Sequence, residues 1–432
     1  MKIFKLVLIM MLGWVGLAGA AEQTEVLPLH LTLAQAVDMA SKQNAQIFAA
    51  NERVRQAVAN IALSRSAFFP QITGTFGGKR QTEDLRASGI KFPGDPHIGP
   101  FNSFDTRGRL TLEIFDPQVI ERLSAAKAGE KLSQAQFGKL RQDILALVGA
   151  LYLEAQRAAQ SVDLNKINVK QAQHNYQVIH KRLEQGLGSA SDLKKADTGL
   201  ALAMYAFKAS EFHAQQSRLD LASALRLPLD QPMVFDMDRD WVYREIKKSS
   251  ESPDVRLASA QLDQSKANVK EARAGFWPRL TASGDYGRSG ESPSTASNTY
   301  SFGAMVSVPI WQGGSQQAQL KVARSQVKEN QILLEDAKNQ DQVKIQEAQN
   351  NVEQAKSLLI VKVDEAREAL HQWQVAENRL ETGLGSPLEL DEAWAQKALA
   401  EDAQNEAQAM WWTAKINLAR AMGRVEGLFE SK

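Results

Sequence analysis

Arg182-Leu-Glu-Gln-Gly-Leu-Gly-Ser-Ala-Ser-Asp-Leu193 returns without a gap as Arg379-Leu-Glu-Thr-Gly-Leu-Gly-Ser-Pro-Leu-Glu-Leu390. Each copy reads as a helix-to-helix reversal. Gly186 and Gly383 suit the left-handed position that ends a helix. Ser189 and Ser386 are placed to cap the next one, with Asp192 and Glu389 three residues on as the acidic half of a capping box. Pro387 falls where proline is tolerated at the start of a helix. The stretch is a duplicated hairpin tip.

Outward from the tips, the helical pattern is very long. No proline interrupts Gln118 to Gln185, and a second unbroken segment runs from Gly313 to Thr382. Either would reach about 100 Å at 1.5 Å per residue, far beyond an ordinary globular helix. Val162, Val169, Tyr176 and Leu183 recur every seven residues, and so do Val352, Leu359, Ala366, Trp373 and Leu380. Heptads mark helices packed side by side along a seam. After each tip the chain returns as a helix, to Pro228 and to Met422.

Ahead of each long helix lies a strand pair. Phe104, Thr106, Gly108, Leu110, Leu112 and Ile114 alternate with Arg107, Arg109, Thr111 and Glu113, while Phe302, Ala304, Val306, Val308 and Ile310 alternate with Ser301, Gly303, Met305 and Ser307. One face is apolar and the other polar or charged. Shorter partners follow Pro70 and Pro278, and the first copy holds a loop about a dozen residues longer within Gln81 to Ser103.

These landmarks divide the chain. Residues 1–20, with Lys2, Lys5, an apolar run and Ala18-Gly19-Ala20, form a signal peptide. Residues 21–228 form a first repeat, with helices 31–69 and 117–227 and strands about 71–80 and 104–116. Residues 229–252 link to a second repeat, 253–432, with helices 253–277 and 313–422 and strands about 279–288 and 300–311. The fold class is mainly α with a small β part. Long-helix hairpins build a helical barrel, and four strands per chain are contributed to a transmembrane β-barrel. Four strands cannot cover their own edges in lipid, so closure requires several chains: eight strands for a dimer, twelve for a trimer, sixteen for a tetramer.

Composition excludes other classes. With 51 Lys and Arg against 50 Asp and Glu, the balance argues against nucleic acid. No cysteine is present, so there is no disulfide, thiolate metal site or acylated N-terminal Cys anchor. The six histidines form no metal motif, and Gly77-Gly78-Lys79-Arg80 lacks the first glycine of a phosphate loop. Neither cofactor nor enzyme chemistry is indicated.

Leu31-Thr-Leu-x-x-Ala-Val with Asn44, the Phe69-Pro-Gln-Ile72 corner, Ile310-Trp-Gln-Gly-Gly314 and the two Arg-Leu-x-x-Gly-Leu tips, in this order and double spacing, resemble the TolC-type outer membrane efflux protein family. The resemblance covers essentially the whole chain after the signal. It implies a homotrimer with a twelve-stranded barrel in outer-membrane lipid and a helical tunnel through the periplasm. It also implies docking to a periplasmic adaptor and an inner-membrane transporter, the chain serving as the passive exit duct of an efflux or type I secretion system. By the same resemblance Asp192, Glu389 and Glu392 line an aperture at the periplasmic end and set its selectivity. Arg182, Leu187, Gly188, Ser189, Arg379, Leu384, Gly385 and Ser386 then form the adaptor-docking tips. A soluble periplasmic coiled-coil adaptor or scaffold is the alternative, and it leaves the alternating strands without purpose.

Overall fold

The computed structural model describes residues 27–86, 89, 93–95, 97–236 and 251–429. The expected signal at 1–20 lies outside them, as do parts of the linker and of the long loop. The chain opens with a short strand β1 (Leu29–Leu31) and helices α1 (Leu33–Gln43) and α2 (Ala45–Ser66), followed by strands β2 (Gln71–Asp84) and β3 (His97–Phe115). Helices α3 (Pro117–Glu184) and α4 (Ala190–Leu225) then form the first hairpin, and a short strand β4 (Met233–Phe235) closes the repeat. The second repeat comprises α5 (Pro253–Ala274), β5 (Arg279–Gly290), β6 (Ser297–Ser307), α6 (Ser315–Glu381) and α7 (Pro387–Ala421), with a last 3-10 turn at Glu426–Leu428.

The helices pack as four columns. α3 lies against α2 and α4 on one side and α5 and α7 on the other, and α6 packs on α5 and α7. The two short arms of each repeat are therefore stacked end to end along the long helices. The chain exposes 29233 Å², against roughly 16,000 Å² for a compact monomer of this mass. Large apolar side chains are exposed along the helices, including Tyr205 and Phe212 on α4 and Ile332 and Ile360 on α6.

Strands β2, β3, β5 and β6 form one antiparallel sheet in that order, so β3 and β5 join the two repeats. Register puts Ile72, Leu110, Gly284 and Phe302 in one row across the sheet, and Thr73, Arg109, Asp285 and Ser301 in the next. Adjacent rows face opposite sides. One face is thus apolar and open, with Ile72, Phe76, Tyr300 and Phe302 all more than 70% exposed. On the other, Arg107 reaches across Gly287 to Asp285 and Thr299, and Glu113 accepts a hydrogen bond from Thr281. Among the described residues no helix is long and apolar enough to cross a membrane.

A hydrophobic core sits midway along the rods. Leu31, Leu33, Val37, Leu145, Val148, Leu221, Leu225, Ile416 and Val425 surround Tyr152 of α3. The Tyr152 hydroxyl donates to Leu31 O at 2.8 Å, and its ring meets Phe235 edge-on with centroids 5.5 Å apart.

Several expected boundaries need correction. The single helix expected over 31–69 breaks at Asn44, whose Oδ1 caps α2 through Gln46 N at 2.9 Å while its Nδ2 donates to Ala224 O at 3.0 Å. That side chain is buried, and the cross-link outweighs helix continuity. Within the expected linker 229–252, Met233–Phe235 pairs parallel with Leu29–Leu31 instead of running free. β2 and β3 extend beyond 80 and start before 104, because the polar residues there still pair through their backbones. β6 stops at Ser307, short of the expected 311, where Pro309 removes a ladder donor. α5 ends at Ala274 instead of 277, since Pro278 disfavours helix in the residue before it. The stretch expected as helix over 313–422 starts at Ser315, after two glycines with positive φ.

Candidate functional site

The tips lie at the end of the rods away from the sheet. α3 and α6 both leave that sheet and run for 68 and 67 residues, so their far ends fall at nearly the same level. Both turns close through the same two bonds. Leu187 N donates to Arg182 O and Leu384 N to Arg379 O, each at 2.8 Å, while Gly186 N reaches Leu183 O and Gly383 N reaches Leu380 O. This is a Schellman closure, and it needs the positive φ of 72° at Gly186 and 74° at Gly383. The chain doubles back tightly enough that a Cβ on Gly188 or Gly385 would stand 3.1 or 2.9 Å from Leu183 N or Leu380 N.

Ser386 Oγ accepts from Glu389 N at 3.2 Å, and Ser189 Oγ accepts from Ser191 N at 3.1 Å. The serines therefore cap α7 and α4. Only the hydroxyl half of the expected capping box forms at the second tip. Glu389 instead brings a carboxylate oxygen to 3.9 Å from Arg379 Nη2, and Arg379 also donates to Leu384 O. Arg182 is exposed.

Asp192 sits in the first turn of α4, Glu389 in the first turn of α7 and Glu392 one turn on. All three are exposed. Asp192 belongs to the first hairpin and the two glutamates to the second, at one end of the molecule. Leu187, Leu384 and Leu388 are 69%, 77% and 65% exposed. Among the described residues no group of His, Asp and Glu is placed to hold a metal.

Behind this surface lies a cluster that sequence reasoning missed. Asp391 is half-buried where α7 meets α3, and its Oδ2 is buried with no hydrogen-bond partner among the described residues. Burial pushes the carboxyl up to about 6, against the opposing effects of a hydrogen bond from Gln171 and the nearby His174. One turn on, Trp394 Nε1 donates to Asn168 Oδ1 of α3 at 3.2 Å, and its ring packs edge-on against Trp373 of α6. Lys397 lies 4.7 Å above both rings. The spacing of Asp391, Trp394 and buried Ala398 was the available signal: positions i, i+3 and i+7 share one helix face. Trp411 and Trp412 likewise stack within α7, with buried Lys415 over both rings.

The sequence model of a family described as outer membrane efflux protein matches residues 36–225 and 247–424. Alkaline protease secretion protein AprF of Pseudomonas aeruginosa is 24% identical over 297 residues, 64% of this chain and 60% of AprF, so the match spans less than two thirds of that relative. Pyoverdine export outer membrane protein OpmQ of Pseudomonas putida is 24% identical over 409 residues, 90% of this chain and 85% of OpmQ. The Campylobacter jejuni CmeC outer membrane channel superposes with a TM-score of 0.80 at 18% identity, covering 90% of this chain and 85% of that one. At that identity the likeness speaks to the fold.

Proposed function

Because the chain belongs to the outer membrane efflux protein family, we propose that three copies form an outer-membrane exit duct, passively passing cargo handed over by a periplasmic adaptor and an inner-membrane transporter. The sheet carries this reading. Its apolar face suits lipid, its opposite face is charged, and the outer edges of β2 and β6 are unpaired among the described residues. An open edge in lipid leaves backbone groups unsatisfied, so the sheet must close with its siblings. Eight strands leave no open lumen and twelve do, which favours the trimer over the dimer. Trp277 and Trp311, both exposed at strand-helix corners, suit the interface between lipid and water.

The reading expects the outer-membrane fraction, unboiled in detergent gel buffer, to show a slow-migrating oligomer that heat converts to a single-chain band. A protein recovered from the osmotic-shock fluid as a monomer would sink it.

At the periplasmic end, the exposed leucines at 187, 384 and 388 are the groups that lose most apolar area if a partner hairpin covers them, which supports these turns as the adaptor-docking surface. Glu389 and Glu392 of α7, with Asp192 of α4, form the aperture, and three copies set a ring of carboxylates that favours cations as in channels. Glu389→Ala combined with Glu392→Ala should lower the cation-to-anion permeability ratio several-fold in planar bilayers. An unchanged reversal potential would remove the ring from the proposal.

A further inference from the structure

Asp391 has no part in the aperture as drawn above. It points away from the exposed carboxylates and into the contact between α7 and α3. A carboxyl in such a seam is ordinarily paired, because leaving a polar atom buried without a partner is costly. Here Gln171 is the hydrogen-bonding neighbour, and Oδ2 is buried without a partner among the described residues. Asn175 Oδ1, one position beyond His174 on α3, is also buried and unpartnered. A neutral carboxyl is less costly to bury there than a charged one.

The surroundings offer the ionised form little help. α3 contributes Gln171 and His174, of which His174 is titratable. On the α6 side stands the Trp373 ring, and the Lys397 ammonium lies over Trp373 and Trp394 one to two turns along, held also by Glu401 at 3.4 Å. On α7 itself the neighbours in sequence are Glu389 and Glu392, whose charges oppose another carboxylate.

We propose that Asp391 is a positioning residue for the periplasmic end: with its proton it lets the start of α7 lie against α3, and on losing that proton it weakens this contact, so that acid tightens the tip and neutral conditions loosen it. The proposal rests on the reading that these turns form the aperture only for its consequence in conduction; the packing effect stands on the α3–α7 seam alone. The direction follows from linkage. The packed state holds the proton up to about pH 6, and the loosened state releases it near the ordinary carboxyl value of 3.8. Both states are neutral below that window and both are ionised above it. Packing is therefore favoured at low pH, weakens as pH rises between the two values, and stays at its weaker level beyond.

Hydrogen exchange of the segment from Leu388 to Gln396 in the purified detergent-solubilised protein tests this, with protection corrected for the intrinsic pH dependence of exchange. Protection should fall about tenfold between about pH 4 and pH 7, less than the full shift implies because the carboxyl is only half-buried. Asp391→Asn keeps the shape and the Gln171 contact but cannot ionise, and should remain well protected throughout. A pH-independent wild type would overturn the proposal, as would an Asp391→Asn protein that keeps the fall; His174→Gln should leave the fall in place, and its loss there would reassign the effect to the imidazole. Since exchange is read in α7 directly, a failure of the channel reading leaves this outcome separately legible.

Discussion

Tyr152→Ala should unfold the middle of the rods, lowering stability by about 3–5 kcal/mol, the range for removing a large buried aromatic side chain. Few residues are as completely enclosed: Tyr152 is 1% exposed in the longest helix of the chain. Its ring fills the space between β1, β4 and α3, and its hydroxyl reaches Leu31 O and, at 3.1 Å, Asp236 O. Those carbonyls belong to the two segments that hold the short strands, so one side chain pins both ends of the first repeat to the same point on α3. The urea midpoint of the helical circular dichroism signal should drop sharply, and α1 should become sensitive to protease. Tyr152→Phe separates the two contributions. It keeps the ring and leaves the carbonyls without that donor, at a cost of about 1–2 kcal/mol. If Tyr152→Ala were no worse than Tyr152→Phe, the packing argument would be wrong and the hydroxyl would be the whole of its role.

The second large effect is expected in the sheet, from matched substitutions at two glycines. A Cβ on Gly287 would run into Thr106 O and lie 2.9 Å from Arg107 Cα, backbone atoms that move only if β3 moves. A Cβ on Gly303, one strand over, meets nothing within 4 Å. Gly287→Ser should therefore push β5 off β3 and destabilise the sheet by at least about 3 kcal/mol, the upper end of overpacking costs. Gly303→Ser should be close to neutral. The missing side chain also leaves the lane through which Arg107 crosses β5 to Thr299, so the same change displaces an ion pair on the polar face. Because β3 and β5 are the only strand contact between repeats in the described sheet, Gly287→Ser should abolish the heat-sensitive oligomer on an unboiled gel while Gly303→Ser preserves it. Equal oligomer yields from the two variants would contradict the register.

The sequence carried the large features because each rests on a local, repeated signal. Gly186 and Gly383 announce their turns by conformation and duplication, and Phe104 to Ile114 announces a two-faced strand by strict alternation. What escaped depends on distant partners. Asn44 interrupts a helical pattern only because its amide finds Ala224 O, 180 residues away. β1 and β4 are three residues each, too short to show a period, and exist because Leu29 and Met233 are brought together by the core. At the candidate site the exposed residues of the tips were legible from turn chemistry. Asp391 was not, since beside Glu392 it reads as one more surface acid; its burial appears only once α3 is laid against α7.

The joining of β3 to β5 also sets a timetable. Arg107 and Asp285, which meet across that pair, are 178 residues apart in sequence. At roughly 5–20 residues per second of synthesis, the first hairpin of strands waits about ten to thirty-five seconds for its partner to be made. During that interval it presents an unpaired edge and an oily face rich in Phe, Ile and Leu, the combination most prone to sticking to other nascent chains. The second hairpin covers only the β3 edge, so shelter is needed until the sheet closes with its siblings, and overproduction should fail first by aggregation of unclosed sheets while the helices remain sound.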